Sequence, residues 1–201
     1  MNHMDKKVKF IVGVITAAIV AIIIVLAVVP LNVGPHFAFP SYQQVNNSAG
    51  TTFTGQKYNS STGNNLSSGS GATANGAVRA ESMNYSAGRT FLELGAVLYK
   101  TAADAAGAYS SVNNSIGTIA GYVPNASKAS ARFDGYLYSF VILPHNLTLF
   151  GTTVRLGFSI AVCELGNYMF VIYSNFGGMN SLRMTNLTEL EIHTMTTGSL
   201  L

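Results

Sequence analysis

The sequence predicts an α+β protein carried on one N-terminal membrane-spanning helix, with a flexible stalk between that anchor and a small antiparallel-sheet domain. Three observations predict it. Residues 10–29, FIVGVITAAIVAIIIVLAVV, are 20 consecutive residues without a charged side chain. Residues 43–79 consist mainly of Gln, Asn, Ser, Thr, Gly and Ala. From residue 80 onward, apolar segments of strand and helix period follow one another in the order βαβββα, and adjacent strands with few helices between them indicate an antiparallel sheet covered by helices. The expected division is a tail at 1–9, a span at 10–29, a stalk at 30–79 and a domain at 80–201.

The apolar run has the length a bilayer needs, since a helix rises about 1.5 Å per residue and the hydrocarbon core is roughly 30 Å thick. Lys6, Lys7 and Lys9 precede it, and the next basic side chain is Lys57. Basic residues flanking a span stay cytoplasmic. The N-terminus is therefore expected inside and the C-terminal domain outside, as a single-pass plasma-membrane protein. A cleaved signal peptide has an apolar core of only about 7–15 residues and a small-residue cleavage site. Val28-Val29-Pro30-Leu31 is a poor one, so an uncleaved signal anchor is expected. Gly13, Thr16, Ala17 and Ala21 give the helix a small-residue stripe of the kind that packs against another helix.

Asn-x-Ser/Thr triplets begin at Asn46, Asn59, Asn65, Asn84, Asn113, Asn125, Asn146 and Asn186. On the exported side each is an acceptor for an N-linked glycan. Charged residues make up 9% of the chain, against about 25% in ordinary soluble domains. A surface of uncharged hydrogen-bonding groups changes little when carboxylates protonate, and acid unfolding works mainly through carboxylates. An acidic exterior, as around an acidophilic archaeon or bacterium, is the expectation. The net charge of +3 does not indicate nucleic-acid binding. Such proteins cluster Lys and Arg on one face, whereas here the basic residues beyond the span are scattered singly.

Pro30, Pro35 and Pro40 end the apolar helix and favour extended backbone. Phe37, Phe39 and Tyr42 suit a membrane interface. The stretch 43–79 has too few large apolar side chains to offset its ordering entropy and is read as a glycosylated stalk. Phe91–Lys100 then reads as a strand. Thr101 and Asp104 have capping-box spacing, and the Ala-rich segment to Ile119 reads as a helix with Val112, Ile116 and Ile119 on its buried face. Arg132–Leu143 reads as a second strand, ended by Pro144. Val154–Glu164 alternates with period two, and Gly166-Asn167 is a two-residue turn into a partner strand at Tyr168–Asn175. Residues 181–196 read as a closing helix, with Leu182, Leu187, Leu190 and Met195 buried.

No catalytic, cofactor or metal motif emerges. His3, His36, His145 and His193 lack the short set spacing of a metal site. Asp134 and Glu164 are carboxylates on neighbouring strands, a juxtaposition that any sheet offers. The lone Cys163 excludes an internal disulfide framework and falls in an apolar strand, as a buried inert thiol does. The function expected is therefore non-catalytic: a surface module in adhesion, envelope or accessory service, binding a protein partner through its domain. A pilin-like filament subunit and an accessory subunit of a membrane complex are the alternatives. The stalk argues against the filament, because it would separate the apolar helix from the head.

Overall fold

Capping residues and two-residue turns set where the elements begin and end. The computed structural model describes residues 35–62, 76–149, 152–155 and 157–198. The tail at 1–9, the apolar run at 10–29 and Asn65 lie outside the described residues. Among the described residues, no helix is long and apolar enough to cross a membrane.

The elements are α1 (Tyr42–Ala49), β1 (Gly55–Thr62), β2 (Ala77–Ala87), β3 (Thr90–Tyr99), α2 (Ala102–Tyr122), β4 (Ser127–Phe133), β5 (Tyr136–Ile142), β6 (Asn146–Leu149), β7 (Thr152–Arg155), β8 (Ser159–Leu165), β9 (Tyr168–Ser174) and α3 (Ser181–Thr197). Seven strands form one antiparallel sheet in the order β1-β2-β3-β9-β8-β5-β4, while β6 and β7 make a separate hairpin. The α+β class stands, with three described helices rather than the two expected.

Both faces of the central strands are covered, while the edge strands β1 and β4 are largely exposed. Side chains of α2, among them Ala105, Ala108, Tyr109 and Ile116, pack with Val97, Val141, Val162 and Met169 on one face. On the other, α1 and α3 supply Val45, Ala49, Met184, Leu187, Ile192 and Met195 against Leu94, Phe140, Cys163 and Phe170. This explains why β5 and β8 are apolar on successive residues: a strand buried on both faces loses the alternation of a half-exposed one. Val162 faces α2 while Ala161 and Cys163 face α1 and α3.

The largest departure from expectation lies in residues 35–62, which belong to the domain rather than to a stalk. Ser41 and Gln44 form a reciprocal capping box that starts α1, a pattern that satisfies two otherwise unpaired helix N–H groups. Val45 and Ala49 are fully buried and Phe53 is 2% exposed. Asn46 ties the chain down after the helix. Its Nδ2 donates to the Phe53 carbonyl at 2.8 Å, and its Oδ1 accepts from the Phe53 N–H at 2.8 Å and from the Thr51 hydroxyl at 2.8 Å. These few anchors offset an ordering cost that the average composition of the stretch concealed. Phe37, Phe39 and Tyr42 are half-buried against this core.

Two strands expected as single runs are broken. Asp134 and Gly135, with φ of 50° and 85°, turn the chain between Phe133 and Tyr136. Two central residues of positive φ make the type I′ turn that Asp-Gly favours, so Arg132–Leu143 is the end of one strand and the whole of the next. The run 154–164 is likewise divided between β7, which ends at Arg155, and β8, which starts at Ser159, and Gly157 between them has a φ of 48°. The β8–β9 hairpin does pair Leu165 with Tyr168 across Gly166-Asn167, as read from the sequence. In α2, Thr101 Oγ1 accepts from the Asp104 N–H at 3.1 Å, the expected N-cap. In α3, Leu187 and Met195 are buried, but Leu182 is 68% exposed and Leu190 only half-buried.

Candidate functional site

A cleft of about 260 Å³ opens on the α3 face, where the ends of β4, β5 and β8 meet the start of α3. Cross-strand pairing places its floor. Ser127 pairs with Ile142, Ile142 with Ser159, and Ser159 with Ser174, so one row of the sheet carries three hydroxyls on the same face. Ser174 is committed to structure, accepting from the Phe176 N–H at 3.0 Å and donating to the Phe91 carbonyl at 3.2 Å. Ser127 lies 3.2 Å from Ser181, hydroxyl to hydroxyl, which joins the sheet edge to the start of α3. Ser159 is buried and lines the cleft.

The wall opposite is His145, with Asn125 and Asn180 beside it. Two glycines make room for the imidazole: a Cβ on Gly157 would lie 2.7 Å from His145 Nδ1, and one on Gly177 2.9 Å from it. Among the described residues no carboxylate, lysine or arginine lines the cleft. Its chemistry is hydrogen bonding by hydroxyl, amide and imidazole groups beside the apolar Ile142, Phe176 and Met179. That suits holding a small polar molecule or the tip of a partner side chain.

A second unusual centre lies deeper. Glu191 is fully buried between α3 and the sheet, and neither carboxylate oxygen has a hydrogen-bond partner. Burial alone holds its carboxyl well above the usual glutamate range, because a low-dielectric site disfavours the charged form. Tyr85 and Cys163 feel its charge. Burial pushes both up, with Glu191 adding to each and Glu164 also raising Cys163. The Tyr85 hydroxyl donates to the Pro40 carbonyl. Cys163 is fully buried and unbridged, as its apolar strand suggested.

Arg79 and Glu81 form an ion pair at the end of β2, with Glu81 buried and Arg79 partly exposed. The Arg79 guanidinium also lies 5.2 Å from the Phe37 ring, which stands edge-on to Tyr168 at 5.2 Å. Cation–π and edge-to-face contacts of this kind contribute on the order of 1 kcal/mol each. They seat the segment 35–40 on the sheet.

The sequons fall into three groups. Asn59, Asn125, Asn146 and Asn186 are exposed; Asn46, Asn84 and Asn113 are half-buried; Asn65 lies outside the described residues. Asn46 spends its side chain on the Phe53 backbone, so it is a structural asparagine whatever its sequon. Asn46→Asp is expected to cost about 1–3 kcal/mol by leaving the Phe53 carbonyl without its donor. Asn186→Asp should stay within about 0.5 kcal/mol. Denaturant titration of the two variants checks the contrast.

Asp134 sits in the β4–β5 turn, and Glu164 lies on β8 on the side away from Cys163, so the structure gives these two carboxylates no shared site. His145, in the bend between β5 and β6, lines the cleft. Nothing in its sequence neighbourhood marks this, because the two glycines that admit it come from distant segments. Glu191 did carry a signal: it is four residues from both Leu187 and Met195, on the stripe expected to be buried. Among the described residues no group of three or more His, Cys, Asp or Glu side chains converges as a metal site would require.

No family model and no curated protein matches the chain by sequence. Among solved structures, the fold is similar to that of the extracellular domain of PknH from Mycobacterium tuberculosis, with a TM-score of 0.52 and 9% sequence identity. The match covers 79% of this chain and 96% of that one. At that identity the likeness is one of fold.

Proposed function

We propose that this chain is a single-pass membrane protein whose exported domain works by binding a partner at the cell surface and not by catalysis. The observation that carries the reading is a combination. A charge-free run of 20 residues with lysines on its N-terminal side precedes a domain whose fold resembles a domain that is extracellular in its own protein. The cleft supports a binding role, since it sets hydroxyl, amide and imidazole hydrogen-bonding groups beside the apolar Ile142, Phe176 and Met179. N-linked glycans on exposed sequons and an acidic exterior are parts of the same proposal. The low charge content and the buried acid Glu191 both suit a medium in which carboxylates are protonated.

Alkaline extraction of membranes tests the anchor. The full chain is expected to stay in the membrane pellet, and a chain lacking residues 10–29 is expected in the supernatant. Release of the full chain would overturn the reading. The folded unit begins at Pro35, close behind the apolar run. That spacing removes the long stalk that counted against a pilin-like subunit. The intact mass of the mature protein decides between the two: loss of the first several residues would favour the filament.

A further inference from the structure

We propose that Glu191 operates a pH-controlled latch that holds the segment 35–40 on the sheet while protonated and loosens it when ionised. The geometry joins the acid to that segment at two points. Met195 lies one helical turn beyond Glu191, both are fully buried, and the Met195 carbonyl accepts from the His36 N–H at 3.0 Å. Tyr85, which feels the Glu191 charge, donates to the Pro40 carbonyl. The acid thus lies one helical turn from one of the two hydrogen bonds that bracket residues 36–40 and within electrostatic reach of the other. Side chains four apart on a helix share a face, so any outward shift of α3 that lets water reach Glu191 also moves Met195.

Among the described residues nothing facing Glu191 compensates an ionised form. From β8 comes the Cys163 thiol and from β2 the Tyr85 hydroxyl, both kept neutral by burial. Tyr138 of β5 bonds instead to Glu189, at 3.4 Å. The segment Tyr42–Ala49 holds no charged residue. On β4, Ser127 and Ala129 pair with Ile142 and Phe140 of the α3 face, so Lys128 and Arg132 alternate to the α2 face. Arg79 and Glu81 share the α3 face but pair with each other. His36, in the latched segment itself, touches the end of α3 at Gly198 and is the other group to control for. An unpaired carboxylate in such a site must either keep its proton or open the site to water. The proton goes to solvent and no other group changes.

The test is amide hydrogen exchange of the full chain in mild detergent, corrected for intrinsic rates, from pH 4 to pH 8. Protection of His36–Phe39 and of α3 is expected to fall, approaching tenfold per pH unit above the ordinary glutamate range, while β3 and β9 stay the more protected at every pH. Glu191→Gln should make that protection independent of pH, and Glu191→Met serves if the amide does not fold. His36→Gln should leave the wild-type response in place. The proposal is overturned if wild-type protection does not change with pH or if the variants at 191 keep the response. It is equally overturned if His36→Gln abolishes the response, or if residues 36–39 are at no pH less protected than the central strands.

Discussion

Glu191→Gln is expected to stabilise the protein at neutral pH and to flatten the dependence of its stability on pH. The native state holds a proton on Glu191 that the unfolded chain has already released, because burial holds the folded carboxyl well above the ordinary glutamate range. The stabilisation from that proton is complete below the ordinary glutamate range and is lost as pH rises through the folded value. Over that interval wild-type stability should fall by up to about 1.4 kcal/mol per pH unit. The amide has no such proton to lose. Denaturant titrations of both proteins between pH 4 and pH 8 give the result directly. Parallel curves for the two would mean that the buried acid does not govern the pH response.

Phe53→Ala is expected to cost about 3–5 kcal/mol, the usual effect of truncating a buried aromatic side chain. Phe53 is 2% exposed, and its ring lies 6.4 Å from that of Tyr85 in the core under α3. The size of the effect matters because residue 53 falls where composition indicated a stalk. In a stalk the substitution would fall within about 0.5 kcal/mol, as exposed changes usually do. A urea titration of the full chain in mild detergent separates the two. A neutral result would return residues 35–62 to the linker.

These two positions also show which parts of the fold were legible in the sequence. The strand at Thr90–Tyr99, the Thr101 cap, α2, the Gly166-Asn167 hairpin and α3 were all readable, because each rests on a local pattern: period, cap or turn. Residues 35–62 were misread because a window dominated by Ser, Asn and Gly masks three buried apolar anchors and one asparagine clamp. The signals were present in Ser41-x-x-Gln44 and in the apolar Val45 and Phe53. Asp134-Gly135 was likewise a hairpin signal inside a run that seemed continuous by hydrophobicity alone. The placement of helices on both faces had no local signal, since it depends on how the sheet closes. The cleft is of that kind as well: Ser127, Ser159 and Ser181 are unremarkable in sequence and meet only through strand register and the docking of α3.

Export of the domain is the claim on which the functional reading turns, and the lysines report on it. A membrane-impermeant amine reagent applied to intact cells is expected to label Lys57, Lys100 and Lys128, which are exposed on the folded domain. It should spare Lys6, Lys7 and Lys9 until the cells are opened. Labelling of Lys57, Lys100 and Lys128 only after lysis would contradict the account.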